Sequence, residues 1–365
     1  MAQSAVGFTD LTLTDPARNN RQVVVRVHYP ATQSGANSPL IPGTFPLFVI
    51  GHGFLTQVTP YQNFADSLVP QGYILALPAT ETGFTPSHIE FGRDLLFTAN
   101  ELRRRSNDES GFQFFGAVST RAGISGHSMG GGATFLAGSL AQAGTVDCLV
   151  GYAPAETSPS SSDAAAQVNI PSLIFAGEAD GVTPPAQHQI PIYQALTGCK
   201  VLATIPGGGH CFFMNADLPC DFGEVTSSPN LAIDREEQQR QMFRLLRPWL
   251  AYWLKQDNTA WQTFQQAAAA GPTQVVQNCT SLEIAPEQAF SPTPLYRKGN
   301  LHGLTEGSSV SLHVFDLSGR LLHRDSVYAH APSIAYTFPY LSPGVYVIQF
   351  RDGERISSQR ISWPE

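Results

Sequence analysis

At 365 residues the chain is long enough for two domains, with a sizeable core in the first; 42% hydrophobic content is ordinary and 14% charged is low. The net charge of −8 is unevenly placed: 14 basic and 22 acidic residues precede Pro286, and seven of each follow. An acidic body without a basic stripe argues against nucleic acid and anionic membrane surfaces, and no apolar run is long enough to span a membrane. Met1-Ala2-Gln3-Ser4 carries neither the basic start nor the apolar core of a signal peptide, so the expectation is a cytosolic protein or one whose leader has been removed.

Phe8–Thr14 and Gln22–Tyr29 alternate apolar and polar side chains, which predicts a hairpin at a sheet edge, turned at Asp15-Pro16-Ala17-Arg18-Asn19-Asn20. Phe45–Ile50 is a continuous apolar run, as expected of a strand buried on both faces, and it leads into Gly51-His52-Gly53-Phe54. A helix around Tyr61–Leu68, the strand Tyr73–Pro78, a loop at Ala79–Ser87 and an amphipathic helix at Phe91–Arg105 follow. Next come the strand Ala122–Ser125, a helix at Ala133–Ala143, the strand Cys148–Tyr152 and a Ser/Ala loop at Ser158–Ala166. The strand Ser172–Ala176 runs into Gly177-Glu178-Ala179-Asp180, then a helix near Ile190–Leu196, and the strand Lys200–Ile205 runs into Gly207-Gly208-Gly209-His210. A long helix at Asp234–Leu254 closes the body. Alternating strands and helices predict a doubly wound, mostly parallel sheet, whose chemistry gathers at the strands' carboxyl ends. Four such ends carry Phe54, Ser128, Asp180 and His210.

The remainder differs in kind. Residues 265–285, rich in Ala and Gln at first, are expected to be a linker. From Pro286 short alternating runs (Val310–Val314, Leu321–His323, Ser333–Phe338, Val345–Phe350, Ile356–Ile361) are separated by turns such as Leu317-Ser318-Gly319 and Asp352-Gly353. That pattern predicts a small all-β sandwich over 286–365.

Of five cysteines only Cys148 falls in an apolar strand pattern. The reading is two disulfides, Cys211–Cys220 and Cys199–Cys279, with Cys148 buried and free; five scattered thiols are the alternative. No pair has the spacing of a zinc site, and neither metal nor cofactor is expected.

Ile124-Ser125-Gly126-His127-Ser128-Met129-Gly130-Gly131-Gly132 organises the chemistry. Gly-x-Ser-x-Gly between a strand and a helix puts a serine hydroxyl on a turn too crowded for side chains, beside the free N–H groups of a helix start. The alternative is a glycine-rich turn with a buried serine. Such a serine needs a base, and the base an orienting group. His210, on a glycine-rich loop past a strand, is preferred over His188, which is expected to start a helix on the surface. Asp180, at the turn Asp180-Gly181, is preferred over Glu178. The order Ser–Asp–His is that of the α/β-hydrolase sheet, in which backbone N–H groups of Met129 and Phe54 are the expected oxyanion donors. Residues 1–264 are thus expected to form an α/β-hydrolase domain.

Gly126-His127-Ser128-Met129-Gly130-Gly131, with Ile170-Pro171-Ser172-Leu173-Ile174 running to Gly177-Glu178-Ala179-Asp180 and Gln187-His188, resembles the bacterial cutinase-like polyester hydrolases, among them enzymes acting on poly(ethylene terephthalate). The resemblance covers roughly Val6 to Gln256, and dienelactone-hydrolase-like and lipase-like esterases share the plan. It implies no lid domain, the triad Ser128, Asp180 and His210, the donors Phe54 and Met129, and Val182 as a wall of the substrate cleft. One departure stands out: where the family has Pro-Trp, this chain has Ala153-Pro154-Ala155, with Phe84 and Phe212 the candidate aromatic replacements.

Asp316-Leu317-Ser318-Gly319-Arg320-Leu321 and Leu341-Ser342-Pro343-Gly344-Val345-Tyr346 resemble the two hairpin motifs of the C-terminal type IX secretion sorting domain. The family's opening Pro-Asn-Pro is here Ser291-Pro292-Thr293-Pro294, and the chain ends Trp363-Pro364-Glu365 where a basic residue is common. The resemblance implies an exported or cell-surface protein handled by that machinery; a β-sandwich binding module is the alternative. The expectation as a whole is a monomeric, secreted serine ester hydrolase acting on a polyester or acyl ester. A short-acyl esterase or an acetylhydrolase-like enzyme is the second reading, and a surface-binding module with a dead hydrolase fold the third.

Overall fold

Alternation at the start of the chain becomes a long hairpin: β1 (Ala5–Asp15) and β2 (Arg21–Ala31) pair antiparallel from Ala5 opposite Ala31 to Asp15 opposite Arg21. The structure is a computed structural model that describes residues 4–279 and, beyond them, 295–363 without 298–299, 303, 305–306, 317–319, 332, 339–340 and 353–354. It divides into two units, Met1–Thr280 and Ser281–Glu365.

The first unit continues with β3 (Gly35–Ala36), β4 (Phe45–Gly51), α1 (Gln62–Leu68), β5 (Ile74–Pro78), α2 (His88–Asp108), β6 (Val118–His127) and α3 (Met129–Leu140). Then come β7 (Cys148–Tyr152), α4 (Ser161–Ala165), β8 (Ser172–Gly177), α5 (Gln189–Ala195), β9 (Lys200–Ile205), α6 (Leu218–Ser227), α7 (Arg235–Lys255), α8 (Asn258–Ala269) and β10 (Gln274–Asn278). The ten strands form one sheet, ordered β10-β9-β8-β7-β6-β4-β5-β2-β1-β3. From β5 to β9 every neighbouring pair in that order is parallel, while β2 and β10 join antiparallel.

Because side chains alternate across a strand, the sheet buries two cores. Leu47 and Val49 of β4 face a cluster with Phe91 and Leu95 of α2 and Phe135 of α3. Phe48 and Ile50 face the other side, with Phe64 of α1, Met242 and Trp249 of α7 and Phe264 of α8. The sheet is doubly wound, compatible with the α/β-hydrolase fold. After β4 the chain crosses to β5 on one side, and after β5 it returns to β6 on the other. The strand order thus reverses between β4 and β6, which opens a crevice at their carboxyl ends.

Two expectations need correction, and one stretch without an expectation is filled. The Ser/Ala loop holds α4, because Ser160 caps it by accepting from the Asp163 N–H. Residues 265–279 are not a linker: α8 runs to Ala269 with Ala267 and Ala268 packed on the core that includes Trp249, and β10 extends the sheet beside β9. The disulfide Cys199–Cys279 fastens that edge, so the boundary falls at 280/281. Finally, α6 fills a stretch between His210 and α7 that the sequence reading left blank.

The second unit contains β11 (Leu295–Arg297), β12 (Asn300–His302), β13 (Ser309–Phe315), β14 (Leu321–Tyr328), β15 (Ser333–Ala335), β16 (Gly344–Asp352) and β17 (Arg355–Trp363). They form two antiparallel sheets, β11-β12-β15 and β14-β13-β16-β17, which share one apolar cluster including Tyr296, Leu301, Val314 and Ile348. The predicted turn at 317–319, Gly353, and the Pro-containing stretch 291–294 lie outside the described residues. Among the described residues no helix is long and apolar enough to cross a membrane.

Candidate active site

Ser128 stands between the end of β6 and the first residue of α3, with φ 54° and ψ −118°. A non-glycine residue at positive φ is strained, and the surrounding backbone explains why the strain is held. A Cβ on Gly126 would lie 2.2 Å from the Gly130 carbonyl oxygen, and one on Gly130 would lie 2.5 Å from the Gly51 carbonyl carbon. Only glycine at both places lets the turn settle against the end of β4. Ser128 N–H donates to the Tyr152 carbonyl at 2.9 Å, and its own carbonyl accepts from Gly132 and Ala155. Met129 is the first residue of α3, so its N–H lies outside the intrahelical ladder.

Asp180 follows β8 and His210 follows β9; both are almost wholly buried. His210 Nδ1 lies 2.9 Å from Asp180 Oδ2 and 2.9 Å from the Thr183 hydroxyl. A carboxylate only accepts, so the imidazole proton sits on Nδ1 and Nε2 is the basic nitrogen. Asp180 has four donors. Oδ1 accepts the N–H groups of Val182 and Thr183 at 2.9 and 2.7 Å, and Oδ2 accepts the Thr183 hydroxyl at 2.8 Å besides His210. Gln189 Nε2 donates to the Pro154 carbonyl and to Thr183 Oγ1, and the Thr183 hydroxyl lies closer to Asp180 Oδ2, at 2.8 Å, than to its other acceptor, the Ala153 carbonyl, at 3.4 Å.

The His210 loop is tied from several sides. Gln238 of α7 exchanges two hydrogen bonds with Gly209, each 2.8 Å. Glu224 of α6 accepts from the Cys211 N–H and from the Ser228 hydroxyl, and Ser228 Oγ in turn accepts from the Gly181 N–H beside Asp180. The disulfide Cys211–Cys220 links this loop to α6 covalently. Sequence reading missed Thr183, Gln189, Glu224 and Gln238, since a single buried polar residue has no periodicity to mark it.

The competing candidates are engaged elsewhere. His188 precedes α5, its Nδ1 accepts from the Glu156 N–H, and burial pulls its pKa down. Glu178 is exposed and accepts from the Gly207 N–H, bracing the His210 loop from outside.

Ser128 and His210 line one cavity of about 280 Å³, whose other walls include Phe54, Leu55, Val182, Pro219 and Gly223. Phe54 (47% exposed) and Val182 (38%) stand at its mouth. Phe84 and Phe212 are not part of its wall; Phe84 is exposed and Phe212 lies under the Arg235 guanidinium. A larger hollow of about 920 Å³ opens at the other ends of the strands, by Phe45 and Ser119–Arg121. Its wall holds no His, Cys, Asp or Glu, so size alone does not make it the reactive site.

Fold and site together define a doubly wound α/β protein whose serine turn and Asp–His pair meet one apolar cavity at the sheet's switch point. The chain belongs to the PET hydrolase-like family, whose model matches residues 23–224, more than half of its length. The matched segment contains Phe54, Ser128, Met129, Asp180, Val182 and His210. A bis(hydroxyethyl) terephthalate hydrolase of Streptomyces coelicolor is 29% identical over 170 residues, 47% of this chain and 49% of that protein. The chain therefore spans about half the length of that curated relative.

Proposed function

We propose that this protein is a secreted serine carboxylic-ester hydrolase that cleaves polyester or acyl-ester bonds through an acyl-enzyme, on an α/β-hydrolase fold. The observation that carries the reading is the Asp180–His210 pair, which holds the proton on Nδ1 and leaves Nε2 basic in the cavity wall shared with Ser128. Ser128 Oγ attacks the ester carbonyl carbon while His210 Nε2 takes its proton. The N–H groups of Phe54 and Met129 receive the oxyanion, each such donor being worth about 2.7–4 kcal/mol in the transition state. His210 then protonates the leaving alcohol, and a water activated by the same nitrogen attacks the acyl-serine and frees the acid. Asp180 keeps the imidazole in one tautomer throughout. Family membership supports ester hydrolysis, as does the terephthalate ester acted on by the Streptomyces relative.

An apolar substrate fits the surroundings of the cavity. Leu218, Phe222 and Val225 are 87%, 74% and 77% exposed at helical spacing on α6, the helix that also gives Pro219 and Gly223 to the cavity wall. Ala155, in place of the family's indole, favours the second reading, a short-acyl esterase without aromatic polyester activity. A series of p-nitrophenyl esters of rising chain length, run beside an aromatic polyester film, separates the two.

Export through the type IX route is the reading of the second unit. Two disulfides are what an oxidising compartment selects. The hydrolase reading is tested with p-nitrophenyl butyrate and a fluorophosphonate. Ser128→Ala is expected to lose turnover and labelling together; a Ser128→Ala protein that hydrolyses the ester as fast as the parent refutes it.

A further inference from the structure

The three parts of the proposed site reach it from distant places: the loop after β4, the serine turn after β6 and the histidine loop after β9. One line of buried hydrogen bonds touches all three. Gly53 N–H donates to the Tyr61 hydroxyl at 2.8 Å, that hydroxyl lies 3.0 Å from His127 Nδ1, and His127 Nε2 lies 2.9 Å from the His210 carbonyl oxygen. The directions follow from the end of the line. A carbonyl oxygen only accepts, so His127 carries its proton on Nε2 and presents a lone pair at Nδ1. The Tyr61 hydroxyl must then donate to Nδ1 while it accepts from Gly53. Every donor points from the β4 loop towards His210.

Tyr61 and His127 are each 1% exposed. Burial, seconded by the neighbouring His210, holds the pKa of His127 well below the ordinary histidine range, and burial pushes the Tyr61 phenol far upward. The line is therefore uncharged, which suits its place: the His127 and His210 rings are 4.8 Å apart, and a charged His127 would oppose the imidazolium formed during turnover. Gly53 precedes Phe54, His127 precedes Ser128, and the last acceptor is the backbone of His210 itself.

We infer that Tyr61 and His127 are positioning residues, a buried strut that fixes the spacing between the oxyanion loop, the serine and the base. This rests on the proposed roles of Phe54, Ser128 and His210. Packing alone does not call for the hydroxyl, because a phenylalanine ring would fill the same apolar cluster beside Phe64.

The test is a double-mutant cycle on p-nitrophenyl butyrate with Tyr61→Phe, His127→Gln and the double variant, with melting temperatures and Ser128→Ala alongside. Gln keeps an N–H that reaches towards the His210 carbonyl but offers nothing at the place of Nδ1. Each single variant is expected to lower kcat roughly 10- to 100-fold with KM within about twofold, since misplacement by about 1 Å costs up to ~10²-fold. The double variant is expected to fall no more than about twofold below the weaker single one, because both break the same line. A folded Tyr61→Phe with parental kcat overturns the inference, and so do losses that multiply in the double variant. If Tyr61→Phe does not fold, His127→Gln is compared with His127→Leu: about tenfold higher kcat in Gln supports the strut, and equal values overturn it. Turnover by Ser128→Ala would instead bring down the hydrolase reading, and the strut with it.

Discussion

Replacing Asp180 by Asn exchanges one oxygen for an NH2 group and, on the structure, changes the position of one proton. The carboxylate accepts two backbone N–H groups on Oδ1 and the Thr183 hydroxyl and His210 Nδ1–H on Oδ2. A carboxamide has one acceptor oxygen. Backbone N–H groups cannot reverse, so that oxygen turns to Val182 and Thr183, and the NH2 faces Thr183 Oγ1 and His210. A donor then confronts Nδ1, the imidazole proton moves to Nε2, and Nε2 can no longer take the proton of Ser128. Trapping the wrong tautomer in a serine hydrolase costs roughly 10⁴ in kcat, about 5.4 kcal/mol at 1.36 kcal/mol per tenfold. A generic loss of one hydrogen bond, about 1 kcal/mol, would cost only about fivefold. The two mechanisms are therefore three orders of magnitude apart. Steady-state kinetics of Asp180→Asn on p-nitrophenyl butyrate, with the melting temperature as a control for folding, decides between them. A folded variant within about tenfold of the parental kcat refutes the tautomer argument.

The two disulfides should fail differently. By loop-closure entropy the Cys199–Cys279 bridge, spanning 80 residues, is worth about 4.5 kcal/mol and the Cys211–Cys220 bridge, spanning nine, about 2.6. Cys199→Ser/Cys279→Ser is expected to lower the melting temperature more while sparing kcat, and Cys211→Ser/Cys220→Ser to lower kcat because Cys211 follows His210. His28, 4% exposed, has its pKa pushed down to about 4, chiefly by burial, against about 6.5 in the unfolded chain. The unfolded state then binds the proton more readily, so about 3 kcal/mol of stability present above pH ~6.5 is lost as the pH falls towards 4. Denaturant midpoints between pH 7.5 and 4.5 should fall less steeply for His28→Leu; identical slopes would show that His28 is not responsible.

What could be read along the chain was what local sterics or periodicity writes there. Buried parallel strands are continuous apolar runs, and the expected strands Cys148–Tyr152 and Lys200–Ile205 have the bounds of β7 and β9. Gly126 and Gly130 were legible because a turn whose backbone packs on itself at Gly126 and on the end of β4 at Gly130 admits no other residue. The stretch 265–279 was misread because alanine and glutamine mark neither a strand nor a helix face, and β10 is a strand only by its pairing with β9. Four of its five residues are polar or exposed, so no pattern within it announces a sheet edge.

The residues that hold the site were illegible for a related reason. Thr183, Tyr61, Gln238 and Glu224 act through hydrogen bonds to partners 27, 66, 29 and 13 positions away. In the sequence each is an ordinary residue on an ordinary element. Burial gives them weight: a polar group removed from water must be paired, and once paired it resists any displacement that breaks the bond. Tyr61 and Gln238 both secure the backbone of the His210 loop, one through His127 to the carbonyl of residue 210, the other directly to Gly209. Glu224 takes the next N–H, that of Cys211. Three consecutive residues, 209 to 211, are thus each fixed by a different buried side chain. The imidazole is thus carried on a loop whose backbone is bonded at each of these residues, and Gly208 and Gly209 allow the close approach of Gln238 and Glu224.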